Sequence, residues 1–131
     1  MNNLHQFVIP LTSPKLKHSR MRNSLDFHKI NGGEYGAINF NNMFPIINDS
    51  RIYEVINTEL SLDCSETELQ YRNLIRNQLT WLNLSHNKAL VLRKAENLYN
   101  MYNTSGKLDT KIKKRCCNFI KLEDEYMNYQ L

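Results

Sequence analysis

The sequence predicts an α+β fold, a small antiparallel sheet with about three helices packed on it. Two observations carry that reading. Residues 1–56 show the period-two alternation of half-buried strands, and residues 65–131 show apolar stripes at helical spacing. The 131 residues suit one domain, 1–131, strand-rich first and helix-rich after. A chain of this size buries about two-thirds of its unfolded surface, so it folds without a metal or disulfide.

The first expected strand is Phe7 to Leu11, where Phe7, Ile9 and Leu11 alternate with Gln6, Val8 and Pro10. Leu25 and Phe27, alternating with Asp26 and His28, suggest a second. Asn31-Gly32-Gly33 is a turn signal, and Tyr35 to Phe40 follows as a third strand. Met43 to Ile47 continues extended through Pro45, Asn48-Asp49-Ser50 turns, and Arg51 to Ile56 reads as a further short strand.

Ser65-Glu66-Thr67-Glu68 has the form of a capping box, in which the serine oxygen and Glu68 satisfy backbone N–H groups at the helix start. Tyr71, Ile75, Leu79 and Leu82 make the stripe of that helix, which either breaks near Ser85 or His86 or runs on. Val91, Ala95, Leu98 and Tyr102 form a second stripe, stopped by Ser105-Gly106. The last helix sets Phe119, Leu122, Tyr126 and Tyr129 against Glu123, Asp124 and Glu125. Trp81 and the tyrosines at 99, 102, 126 and 129 read as core rather than as base-stacking platforms.

Charge is unevenly placed. The net charge is +4, and residues 1–24 account for all of it through Lys15, Lys17, Arg20 and Arg22, with no acid among them. A localised positive field favours a polyanion over a small neutral ligand. The three cysteines, Cys64, Cys116 and Cys117, make no disulfide framework and no zinc spacing, so a reducing cytoplasm is expected and a metal site is not. The N-terminal residues lack signal-peptide features, and the longest apolar run is too short to cross a bilayer, so no membrane partner is expected.

The candidate chemistry lies on Pro10-Leu11-Thr12-Ser13-Pro14-Lys15. Two prolines fix φ on either side of the hydroxyls and hold them at the end of a strand. Lys15, Lys17, His18, Arg20 and Arg22 follow at once. Hydroxyls beside fixed cations suit a phosphodiester, whose non-bridging oxygens gain charge in the transition state. The same residues also read as an ordinary turn with solvated lysines. A second basic run, Lys111, Lys113, Lys114 and Arg115, reads either as an RNA groove or as a solvated loop between helices. The spaced carboxylates of a two-metal nuclease are missing from the sequence.

Pro10 to Lys15, with His18 three residues on, resembles the hallmark loop of the ToxN/AbiQ toxins. Phe27-His28-Lys29-Ile30 resembles a strand of that family, and Gly36 to Ile46 its INxxxMxPI signature. Cys117 to Tyr126 resembles its closing CNFxxLExxY helix. The three matches occur in family order along nearly the whole chain.

The resemblance implies a twisted sheet in a partly open barrel, similar to other small toxin barrels. It implies a cofactor-free, metal-independent endoribonuclease of a type III toxin–antitoxin system, some of whose members abort phage infection. The implied partners are cellular or phage RNA and a pseudoknot RNA antitoxin, held with the toxin in a ring-like assembly. Ser13 matches the serine the family needs for cleavage, and Thr12 and Lys15 match its neighbours. His18 is the candidate proton carrier; Lys17, Arg20, Arg22, Lys111, Lys113, Lys114 and Arg115 are candidates for RNA contact. His5, His28 and His86 are assigned structural or surface roles, and the cysteines structural ones.

The implied reaction is attack of the RNA 2′-OH on the adjacent phosphate, giving a 2′,3′-cyclic phosphate and a 5′-OH. Relatives carry further strands before this loop, whereas nine residues precede Pro10 here, so Phe7 to Leu11 is expected at an open sheet edge. The alternative that follows is a shortened relative that binds the antitoxin RNA without cutting it. An unrelated basic nucleic-acid-binding adaptor is the third reading.

Overall fold

The computed structural model describes residues 6–47, 49–55 and 63–129. His5 and Ile56 lie outside the described residues, as does Asn48 of the expected turn. Five short strands come first: β1 (Gln6–Val8), β2 (Leu11–Thr12), β3 (Phe27–Lys29), β4 (Ala37–Asn39) and β5 (Phe44–Ile46). Four helices follow: α1 (Glu66–Asn83), α2 (Ser85–Tyr102), α3 (Thr110–Arg115) and α4 (Phe119–Asn128).

Among the described residues the strands form two antiparallel sheets, β1-β5 and β2-β4-β3, not a closed barrel. The expected strand Phe7 to Leu11 is thus interrupted at Ile9 and Pro10, and the Pro10 carbonyl accepts from Asn39 N–H at 3.0 Å. Both halves pair with the 37–46 segment, Phe7 opposite Pro45 and Leu11 opposite Ile38. Among the described residues β2 is an edge strand. The second strand starts at Phe27 rather than Leu25.

No strand forms at 51–55, which corrects the expectation for Arg51 to Ile56 within the described residues. The Asp49 carboxylate accepts from Arg51 N, Nε and Nη2, which folds the chain into a turn and uses backbone donors that a ladder would need.

The helix signals translate directly. Ser65 Oγ accepts from Glu68 N at 3.2 Å to start α1. Leu84, extended at ψ 130°, separates α1 from α2, and Asn87 Nδ2 donates to the Trp81 carbonyl at the α1 end. Gly106, at φ +75°, follows the end of α2. The basic run expected as a loop or groove is α3, capped by Asp109 Oδ1 accepting from Lys111 N. Asn118 Oδ1 caps α4 in the same way through Lys121 N.

The core joins Ile30, Ile38, Phe40 and Met43 of the strand half to Ala95, Leu98 and Tyr102 of α2 and Phe119 of α4. Tyr102 and Phe119 rings meet at 4.7 Å between centroids. Of the aromatics assigned to the core, Tyr102 is buried, Trp81 and Tyr99 pack at its margin, and Tyr129 is 54% exposed. The α1 stripe also differs from expectation. Tyr71 and Leu79 are exposed, and the buried α1 residue is Gln78. α1 therefore meets the sheet through a polar side chain, which brings the helix to the candidate loop.

Candidate nucleic-acid site

Thr12 is held from three sides. It pairs with Ala37 in the sheet. Gln78 Nε2 donates to the Tyr35 carbonyl at 2.9 Å and lies 3.5 Å from the Thr12 carbonyl. Gly36, at φ +90°, lies so close that a Cβ there would stand 1.8 Å from the Thr12 oxygen. Glycine tolerates both the dihedral and the approach. Gln78→Ala would leave the Tyr35 carbonyl without that donor and is expected to cost about 1–2 kcal/mol. A denaturant midpoint checks this, and an unchanged midpoint would contradict the role.

The cations after Thr12 are fixed by a short 3-10 turn, Leu16–Ser19. His18 anchors it. Its amide donates to the Lys15 carbonyl at 2.9 Å, and its Nδ1 accepts from Lys15 N at 3.2 Å. The ring is 2% exposed and tilted against Phe27. Burial lowers its pKa, with help from Lys17, Lys15 and Lys29. A neutral His18 accepting at Nδ1 carries its proton on Nε2.

These residues border a cleft of about 410 Å³. Thr12, Lys15, Lys17 and His18 line one part of it; Ser24, Asp26, Asn39, Asn41 and Arg115 are among the residues that line the rest. Asp26 is 1% exposed and accepts from Ser24 Oγ, Asn41 Nδ2, and Arg115 Nε and Nη2. Burial pushes its pKa up, but the hydrogen bonds from Arg115, Ser24 and Asn41 and the Arg115 charge outweigh this, holding it below the usual range. Two atoms of cleft-lining residues, Thr12 Oγ1 and Asn41 Oδ1, are buried without a hydrogen-bond partner among the described residues. Each unmade bond costs about 1–3 kcal/mol, which favours a polar guest, solvent or substrate.

Ser13 is exposed and follows Thr12 directly, outside the cleft lining. Arg20 lines a separate depression with Leu16 and Met21, and Arg22 is exposed. The second basic run divides. Arg115 reaches the cleft, Lys113 Nζ sits 5.1 Å from the Tyr102 ring centroid, and Lys111 and Lys114 are exposed on α3. Asp26 and Asn41 were not site candidates by sequence; Asp26 being the first acid after a basic stretch was the one available signal.

The other flagged side chains lie elsewhere. His28 Nδ1 is 3.1 Å from Lys94 Nζ, which also donates to the Phe27 carbonyl, so this pair buttresses β3. Burial lowers the pKa of both. His86 is exposed. Burial, then the Asp26 charge, pushes the Cys116 thiol up to about 11, which keeps it protonated and unreactive at neutral pH. No helix of the described residues is long and apolar enough to cross a membrane.

Known proteins resemble this chain along its length. It is 29% identical over 131 residues to "Endoribonuclease ToxN" of Bacillus thuringiensis subsp. kurstaki, covering 98% of this chain and 64% of that relative. The chain thus spans a little under two-thirds of the relative's length. A solved structure described as "A processed non-coding RNA regulates a bacterial antiviral system" superposes with a TM-score of 0.72 at 26% identity, over all of this chain and 75% of that one. The family model "Toxin ToxN, type III toxin-antitoxin system" matches residues 1–127. The chain therefore belongs to the ToxN family of type III toxin–antitoxin toxins.

Proposed function

We propose that the chain is an endoribonuclease toxin that cuts RNA without a metal and is held in check by an RNA antitoxin. The observation that carries this reading is the fixed Thr12–His18 segment, which brings Thr12, Lys15, Lys17 and His18 to one cleft. Ser13 and Thr12 orient the scissile phosphate, and Lys15 neutralises the charge that builds on its oxygens. The 2′-OH attacks phosphorus and gives up its proton to solvent, the bond to the 5′-oxygen breaks, and that oxygen takes a proton from solvent, so the products are a 2′,3′-cyclic phosphate and a 5′-OH. His18, neutral and bound through Nδ1, contributes its Nε2–H as a hydrogen-bond donor to the phosphate.

The antitoxin is a pseudoknot RNA that packs against the basic surfaces, Lys17, Arg20 and Arg22 on one side and Lys111, Lys113 and Lys114 on the other. Toxin and RNA close into a ring-like assembly in the cytoplasm, and the released toxin acts on cellular or phage RNA. The name of the Bacillus relative and the non-coding RNA of the structural neighbour support this reading.

Induced expression in a bacterial host tests it. The chain is expected to arrest growth, and co-expression of the antitoxin repeat to restore it. Ser13→Ala is expected to lower cleavage by about a hundredfold or more, the loss of one positioned phosphate donor, and to relieve the arrest. Folded protein that binds RNA without arresting growth would replace this reading with that of an RNA-binding relative that does not cut.

A further inference from the structure

Arg115 stands far from the hydroxyl loop in sequence, yet it lines the same cleft as Lys15 and Lys17. Its guanidinium is half-exposed, whereas the Asp26 side chain beneath it is 2% exposed. The two meet as a fork: Nε to Oδ2 at 2.9 Å and Nη2 to Oδ1 at 3.0 Å. Bidentate pairing of this kind fixes the plane of the guanidinium as well as its position.

The backbone is fixed too. Cys117 N donates to the Asn41 carbonyl at 2.7 Å, which ties the chain after α3 to the segment after β4. Asp26 is itself held by Ser24 Oγ and Asn41 Nδ2. The carboxylate therefore accepts from four donors and offers little to a ligand. Only two donors of the guanidinium fork engage Asp26. The rest of the fork belongs to an oriented, half-exposed cation in a cleft that also holds Lys15 and Lys17.

From this geometry we infer that Arg115 grips a phosphate of the RNA strand in the cleft, and that Asp26 is the positioning residue that aims it. This rests on the ribonuclease reading above and deepens it. A bidentate guanidinium matches the planar oxygen pair of a phosphodiester, as a lysine point charge does not. Arg115 thus has a different role from its neighbours Lys111 and Lys114, which stay exposed on α3.

The test uses a short 2′-O-methyl RNA oligonucleotide of mixed sequence, which cannot be cut because its 2′-oxygen is blocked. Affinity is measured against salt for the full chain, Arg115→Gln, Arg115→Lys and the double variant Asp26→Asn/Arg115→Gln. Circular dichroism confirms that each folds. Loss of one phosphate contact on a single strand lowers the slope of log affinity against log salt by about 0.7.

Arg115→Gln is expected to show that smaller slope and roughly tenfold weaker binding at low salt. Arg115→Lys is expected to keep most of the slope and recover only part of the affinity. The double variant removes both charges, so the net charge of the cleft is unchanged. It is expected to bind roughly tenfold more weakly all the same, because the contact is gone.

If the double variant binds with wild-type affinity and slope, Arg115 serves the fold alone and the inference is overturned while the ribonuclease reading stands. If the wild-type chain fails to bind the oligonucleotide at all, both fall together.

Discussion

Gly36→Ala is expected to cripple the protein although it adds one methyl group. The new Cβ would lie 1.8 Å from the Thr12 carbonyl oxygen, 2.9 Å from the Thr12 carbonyl carbon and 3.1 Å from the Ser13 carbonyl carbon. All three are backbone atoms, so no side chain can swing away. The φ of +90° adds strain for any residue with a Cβ. The loop must move off β4, with a cost of about 2–4 kcal/mol and a fall in Tm on the order of 10 °C. Activity suffers more than stability, because displacing a reacting group by about 1 Å can cost a hundredfold in rate. Thermal melts and single-turnover cleavage measure the two effects. Cleavage within a few-fold of wild type would show that the placement of the Thr12–Ser13 loop does not control the reaction.

The second large effect is expected at Asp26. Asp26→Ala removes the acceptor of Ser24, Asn41 and Arg115 together. Because Arg115 is half-exposed and can turn to solvent, the expected cost is moderated to about 2–3 kcal/mol. The carboxylate also imposes a pH dependence. Its folded pKa is held below the ordinary value of about 4, so its ionised form stabilises the fold. That contribution is fully present above the ordinary pKa and is lost as pH falls through the lowered folded value. Denaturant midpoints of wild type are therefore expected to drop as pH falls below the ordinary carboxylate value of about 4, and those of Asp26→Asn to drop less. Parallel curves for the two proteins would show that ionisation of Asp26 does not stabilise the fold.

These two residues show where the sequence was informative and where it was not. Gly36 sits inside a segment readable as a strand with a family signature, so its position was evident but its contact was not. The contact depends on β2 lying against β4, a pairing between segments about 25 residues apart. Asp26 read as the outward residue of an alternating strand. It is buried because Arg115, 89 residues later, neutralises it, and local alternation cannot register a partner that distant.

The start of α1 and the end of α2 were legible because such signals are local: the Ser65 cap and the Ser105-Gly106 stop follow from neighbours in the chain. The face that α1 buries was not, because it is set by Gln78 reaching the backbone carbonyls of Thr12 and Tyr35, both far away in the chain. The cation cluster was legible as charge, whereas its division into cleft residues (Lys15, Lys17) and outlying ones (Arg20, Arg22) required the 3-10 turn that His18 holds.

In the proposed function, RNA is cut at the hydroxyl loop and without a metal. End-group analysis of RNA treated with the purified full chain in excess chelator tests it most directly. New fragments ending in 2′,3′-cyclic phosphate with 5′-hydroxyl partners are expected, and strong reduction of both by Ser13→Ala. No cleavage, cleavage only on adding magnesium, or fragments with 5′-phosphate ends would contradict it.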